Sequence, residues 1–235
     1  MLLHFDDRPS DSPLVERVWQ SRSERAGHFD SIAASHWEMV VTHLRGERTL
    51  TVRGPETRAT SAVCPAEGEW IAIRFKLGTF LPRVPVATIR DRRDLDLPRA
   101  SKRTFWLDGR PWEYPTFENA ETFVQRLARR GLIGRDPVVD AVVNGRREAL
   151  SARSAQRHFL RATGLTHRAH RQIERARHAA NLLRDGAEIA DVAHAAGYFD
   201  QAHLTRSLKH LAGRTPGQIA RGETQLSFLY KTGGT

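Results

Sequence analysis

The stretch "GYFDQAHLTRSLKHLAGRTP", residues 197–216, gathers Gln201, Ala202, His203, Thr205, Arg206 and Lys209 within nine positions. These types suit recognition by hydrogen bonding. An arginine fork matches the O6/N7 edge of guanine and a glutamine amide the N6/N7 edge of adenine, each good bidentate pair contributing about 1 to 3 kcal/mol of discrimination. Thr205 and Lys209, with Arg161 further upstream, suit phosphate oxygens, contacts that position a protein without specifying sequence.

Such side chains need a rigid element to aim them. Leu204, Leu208 and Leu211 recur at the spacing of one buried helical face, which predicts an amphipathic helix with its polar residues outward. Asp200 stands where an N-cap is needed, and Gly213 with Pro216 ends the helix. Upstream, Ile189, Val192, Ala193 and Ala196 predict a shorter helix, and Gly197 permits a sharp turn at positive φ. Helix, glycine turn and capped helix make the helix-turn-helix layout, whose second helix enters the DNA major groove.

The layout recurs at an offset of 49 residues. Ser151 corresponds to Asp200, Ala155 to Leu204, Arg157 to Arg206, Phe159 to Leu208, Ala162 to Leu211, Gly164 to Gly213 and Thr166 to Thr215. A single offset that carries caps, core positions, an outward arginine and stop signals implies two copies of one unit. Between them Ala169, Ile173, Ala176, Ala180 and Leu183 form one apolar stripe on a helix of about 18 residues, about 27 Å long. A rod of that length suits two reading helices set in adjacent major-groove segments, whose repeat is about 34 Å.

Ala193, Gly197, Tyr198, Asp200, Gln201, His203, Leu204, Arg206, Leu208, Lys209, Gly213, Thr215 and Pro216 stand where the C-terminal signature of the AraC/XylS family of bacterial transcriptional regulators has matching residues. The chain resembles that family over roughly residues 118–221. Departures cluster in the first unit, where Asn144 and Gly145 interrupt a helix that the family keeps rich in alanine; Leu208 replaces the commoner Phe. The resemblance implies a sequence-specific DNA-binding transcription regulator and no catalytic residues. It places base contacts at Arg153, Gln156 and Arg157 in the first unit and at Gln201, Ala202, His203 and Arg206 in the second. Double-stranded DNA is the implied partner, with RNA polymerase, a small-molecule effector in the N-terminal domain and a second copy of the chain as further candidates. No cofactor, no metal and no membrane are expected.

Composition agrees. Of a formal net charge of +10, most lies between Gly134 and Gly222, which holds 15 Lys and Arg against 8 Asp and Glu. Concentrated positive charge favours a polyanion through counterion release. At 235 residues and 40 % apolar content the chain suits two modest domains. One cysteine, Cys64, excludes an intramolecular disulfide and a multi-cysteine zinc site. "MLLHFDDRPSD" lacks the cationic start and long apolar core of a signal peptide, and no apolar run approaches a membrane span, so a cytoplasmic location is expected.

The expected fold class is α+β: a β-rich sensing or dimerisation domain over residues 1–115, cupin-like by analogy with the family, then an all-α domain over 116–222 and a tail over 223–235. "HWEMVVTHL", "RTLTVRG", "EWIAIRFKLG" and "KRTFWLDG" predict strands closing as a small barrel or sandwich. "TFENAETFVQRLARRGLIGRDP" predicts a helix with Phe117, Ala120, Phe123, Val124 and Leu127 inward. Because both reading units lie within 116–222, that fragment is expected to bind DNA by itself.

Three features of the N-terminal half invite chemistry. His36 and Glu38 alternate onto one strand face, with His28 and His43 near, as in a metal site; scattered surface histidines are the plainer account. Trp37, Trp70, Trp106, Trp112, Phe75 and Phe80 suit either an apolar ligand pocket or plain core. Cys64 suggests the alternative function, a DNA alkylation-repair or redox-responsive regulator, although no zinc cysteines accompany it.

Overall fold

The computed structural model describes residues 3–91, 93–143, 145–146 and 151–222. Twelve strands among these residues are β1 (Leu3–Pro9), β2 (Val15–Ser23), β3 (Gly27–Ser31), β4 (Glu38–Leu44), β5 (Glu47–Arg53), β6 (Thr60–Cys64), β7 (Glu69–Phe75), β8 (Thr79–Phe80), β9 (Leu95–Leu97), β10 (Thr104–Leu107), β11 (Arg110–Glu113) and β12 (Gly134–Arg135). The helices are α1 (Ala120–Arg129), α2 (Pro137–Val143), α3 (Ala152–Thr163), α4 (His167–Arg184), α5 (Ile189–Ala195), α6 (Gln201–Ala212) and α7 (Pro216–Ala220). A β-rich N-terminal region thus precedes a helical C-terminal one.

The chain forms two compact units, and both draw on both halves of the sequence. One comprises Met1–Ala26, His36–Pro55 and Pro65–His167; the other comprises Gly27–Ser35, Glu56–Cys64 and the chain from Arg168 onward. Helix α3 lies in the first unit, and α5 and α6 lie in the second.

In the first unit the strands β1–β2–β7–β4–β5–β9 form one sheet with every neighbour antiparallel. Its order ends at β1 and β9, so among the described residues these strands make an open sheet, where a small barrel or sandwich was expected. Val18 and Met39 face Ile73 across the ladder, and Val15 faces Phe75. Those side chains join Ala120, Phe123, Val124 and Leu127 of α1 in one buried core, the inward face expected of that helix. Phe117 packs against the core only in part.

Trp37 and Phe75 stack with centroids 3.8 Å apart, and the Trp37 indole donates to the Thr79 carbonyl at 2.6 Å. Trp112 lies edge-on to Phe123, whereas Trp106 is on the surface. The rings of Trp37, Phe75 and Trp112 are therefore core packing, held by ring contacts and a satisfied indole donor.

Arg8 of β1 clamps α1. Its guanidinium donates to both Glu121 carboxylate oxygens, at 2.5 and 2.8 Å, and to the Phe117 carbonyl at 2.7 Å. Hydrogen bonding from Arg8 holds the Glu121 carboxyl down at about 2, against an ordinary 4.5. A carboxyl depressed in the folded state stabilises above its unfolded pKa and loses that stabilisation as pH falls through the folded one. Glu121→Gln should therefore cost about 1 to 2 kcal/mol at pH 7, allowing for solvent screening. The gap from the unsubstituted protein should narrow as pH drops from about 4.5 towards 2; denaturant unfolding across that range checks it.

In the same unit, α2 and α3 pack together and α3 also meets β8 and the 3-10 turn Val86–Ile89. Val139, Phe159 and Ala162 are buried there with Leu77 and Phe80 against them. Gly164, at φ +70°, ends α3 so close to Ala87 that an added Cβ would lie 3.0 Å from the Ala87 nitrogen.

The second unit is built on α4, whose Ile173, Ala176, Ala179, Ala180 and Leu183 are buried, close to the predicted stripe. Helices α5 and α6 pack together, and α7 begins with a capping box between Thr215 and Gln218. Strands β3 and β6 pair as a separate two-stranded ribbon, Gly27 opposite Cys64 and Ser31 opposite Thr60. Segments next to the ribbon bind the carbonyl end of α6: Ala33 N–H donates to the Leu211 carbonyl at 2.8 Å and Ala59 N–H to the His210 carbonyl at 3.0 Å. Helical carbonyls in the last turn have no partner within the helix, so these bonds satisfy two of them. Asp30 pairs with Arg214 at 2.5 Å, and Ser35 donates to Glu174 of α4.

Candidate nucleic-acid interface

Both α3 and α6 are capped as their sequences require. Ser151 accepts from Ser154 N–H at 3.2 Å and Asp200 from His203 N–H at 2.6 Å. Each ends on a left-handed glycine, Gly164 at φ 70° and Gly213 at φ 71°. The buried positions correspond too: Phe159 and Leu208 are fully buried, and Ala162 and Leu211 lie inward. The repeat of 49 residues is thus a repeat of caps, burial and stop signals. The loop leading into α3, with Asn144 and residues 147–150, lies outside the described residues.

On α3, Ala152, Arg153, Gln156, Arg157, Leu160 and Arg161 form the exposed face. On α6 the exposed face holds Gln201, Ala202, Arg206 and Lys209, with His203 and Thr205 half-buried. The sequence-predicted residues therefore gather in two groups, one on each helix. Two of them are already engaged. Thr205 Oγ1 donates to the Gln201 carbonyl at 2.8 Å, so its hydroxyl must turn before it can donate to a phosphate. The His203 ring lies edge-on to Tyr198 and its Nδ1 accepts from Phe199 N–H at a long 3.5 Å, which leaves Nε2 as the neutral ring's donor.

The turn before α6 has a support that sequence reasoning missed. Arg175 of α4 lays its guanidinium over the Tyr198 ring, 4.5 Å from the centroid, and donates to the Gly197 carbonyl at 3.3 Å. The Tyr198 hydroxyl bonds with Ser207 at 3.0 Å. Only the fold singles out Arg175, because α4 carries four other arginines along its length. Gly197 itself sits at φ +70°, and a Cβ there would meet nothing within 4 Å. The requirement for glycine is thus one of backbone conformation, not of space. Gly197→Val should cost about 1 to 3 kcal/mol and weaken binding to every DNA sequence alike. Denaturant unfolding beside titrations on unrelated duplexes checks both effects.

The N-terminal histidines that suggested a metal site do not cluster among the described residues. His36 Nε2 lies 3.3 Å from Glu38, but Arg74 Nε donates to the same carboxylate oxygen at 2.8 Å. Burial pushes Glu38 upward, yet Arg74 and His36 outweigh it and hold the carboxyl well below its usual range. Burial, with the charge of Arg74, pushes His36 down. This is a buried ion pair with a neutral imidazole beside it. His43 instead pairs with Glu69 at 3.0 Å, and His28 lies on the ribbon. No group of three or more metal-ligating side chains occurs among the described residues. Cys64 is buried, whereas repair or redox chemistry needs an accessible thiolate. Among the described residues, no helix is long and apolar enough to cross a membrane.

Residues 145–222, from just before α3 to just after α7, match the family model described as a helix-turn-helix domain. No curated protein and no solved structure matches the chain. The matched model is the AraC-type one, so the residues that resembled the AraC/XylS family lie where that domain is found. Over residues 145–222 the chain carries the AraC-type helix-turn-helix domain of a DNA-binding transcription regulator.

Proposed function

We propose that this regulator reads two adjacent major-groove segments, one with α3 and one with α6. The observation that carries the reading is the correspondence of the two helices: the same N-cap chemistry, the same left-handed glycine stop and an exposed arginine at the same position, Arg157 and Arg206. Arg153, Gln156 and Arg157 contact bases in one segment, and Gln201, Ala202, His203 and Arg206 in the other. Arg161, Thr205 and Lys209 contact phosphates.

The 18 residues of α4 give a rod of about 27 Å, close to the spacing that adjacent groove segments demand. The β-rich half serves as a sensing or dimerising domain of cupin-like kind, in a cytoplasmic protein. That part of the reading, with RNA polymerase, a small-molecule effector and a homodimer, rests on the family resemblance alone.

Selection of bound duplexes from a random pool, followed by titration against salt, tests the function. The intact chain should select one site holding two short blocks separated by one helical turn. Log affinity should fall with log salt at about −0.9 per phosphate contact. A pool that emerges without a preferred sequence, or a flat salt response, would exclude sequence-specific DNA reading.

A further inference from the structure

Phe199 is 92 % exposed, far more than any other large apolar side chain among the described residues. It immediately precedes the N-cap of α6, a place where an apolar residue ordinarily packs against the fourth residue of the helix as a hydrophobic staple. That fourth residue is Leu204, which is fully buried without it. So Phe199 makes no staple, and helix stability gives no reason for a phenyl ring here.

The backbone on either side is held firmly. Tyr198 is fixed by Arg175 and Ser207, and Asp200 is fixed by its cap to His203. The ring is therefore carried on a rigid frame beside the exposed Gln201 and Ala202, at the end of the helix whose first residues meet base edges in this motif. In the major groove the apolar feature displayed by the bases is the C5-methyl of thymine, and phenylalanine is among the side chains that contact it.

We propose that Phe199 reads a thymine methyl at the edge of the segment addressed by α6, making it a specificity-determining residue. The inference rests on the DNA-reading function proposed above. In the sequence, the residue at the corresponding place in the first unit is also large and apolar, Leu150, immediately before Ser151.

The test uses the full chain and its selected duplex, with each thymine replaced in turn by deoxyuridine, which removes only the methyl. One replacement under α6 should weaken binding about three- to tenfold, the change that corresponds to losing one buried methyl group. Phe199→Ala should weaken the thymine duplex by a similar factor and become indifferent to that replacement, with unchanged thermal unfolding. Phe199→Leu should retain part of the preference. A selected site without thymine under α6 would overturn the proposal, as would a Phe199→Ala chain that still senses every methyl. Unchanged DNA binding with lost transcriptional output would overturn it too, assigning the ring to a protein partner. If Arg206→Ala alters base preference while both Phe199 variants do not, this inference alone fails. If the intact chain selects no sequence, the proposed function fails with it.

Discussion

A fragment of residues 116–222 should unfold well below the intact chain and lose most of its DNA affinity, although it contains both α3 and α6. Helix α3 would lose the 3-10 turn Val86–Ile89 and β8, leaving Phe159 without Leu77 and Phe80. Helix α6 would lose the donors to the His210 and Leu211 carbonyls, and the partners of Arg214 and Glu174 would go too. Uncovering buried side chains costs about 1.5 to 3 kcal/mol each. A few such losses consume much of the roughly 5 to 15 kcal/mol that holds a domain folded. The expectation from sequence alone is the opposite one, that this fragment binds DNA by itself. Thermal unfolding and DNA titration of the fragment beside the full chain decide the matter. Equal midpoints and equal affinities would mean that the upstream segments lie against the helices without supporting them. Asp30→Ala in the full chain should show a smaller loss, with α3 unaffected.

The helical half was legible because its signals are local. Ser151, Asp200, Gly164 and Gly213 act on backbone within three or four residues, and the leucine spacing of α6 is a property of one turn after another. The helix α1 was legible for the same reason. The ribbon was not. "GHFDS" and "TSAVC" are short, show no clean alternation, and find each other across more than 25 residues. Their neighbours Ala33 and Ala59 grip α6 through backbone N–H groups, which nearly any residue would supply. Strand β1 stayed hidden behind its charge. Its Asp6, Asp7 and Arg8 suit an edge strand, and only the fold shows that Arg8 reaches Glu121. Within the candidate interface, the exposed arginines could be read from helical phase, whereas the part played by Arg175 depends on α4 lying against a turn 22 residues away.

Arg157→Ala and Arg206→Ala should separate reading from scaffolding. Both side chains are exposed, so thermal unfolding should hardly move. Each variant should weaken the selected site by about 1 to 3 kcal/mol, roughly 5- to 150-fold, because a bidentate contact to a base edge is lost. The losses should fall on different bases, those under α3 for Arg157→Ala and those under α6 for Arg206→Ala. A base-by-base binding profile of the two variants tests most directly the claim that this chain reads DNA with two helices. Two patches of relaxed specificity, one helical turn apart and one per variant, are the predicted result. Uniform weakening across all sequences would make these arginines phosphate contacts, and a single patch shared by both variants would contradict the two-helix reading.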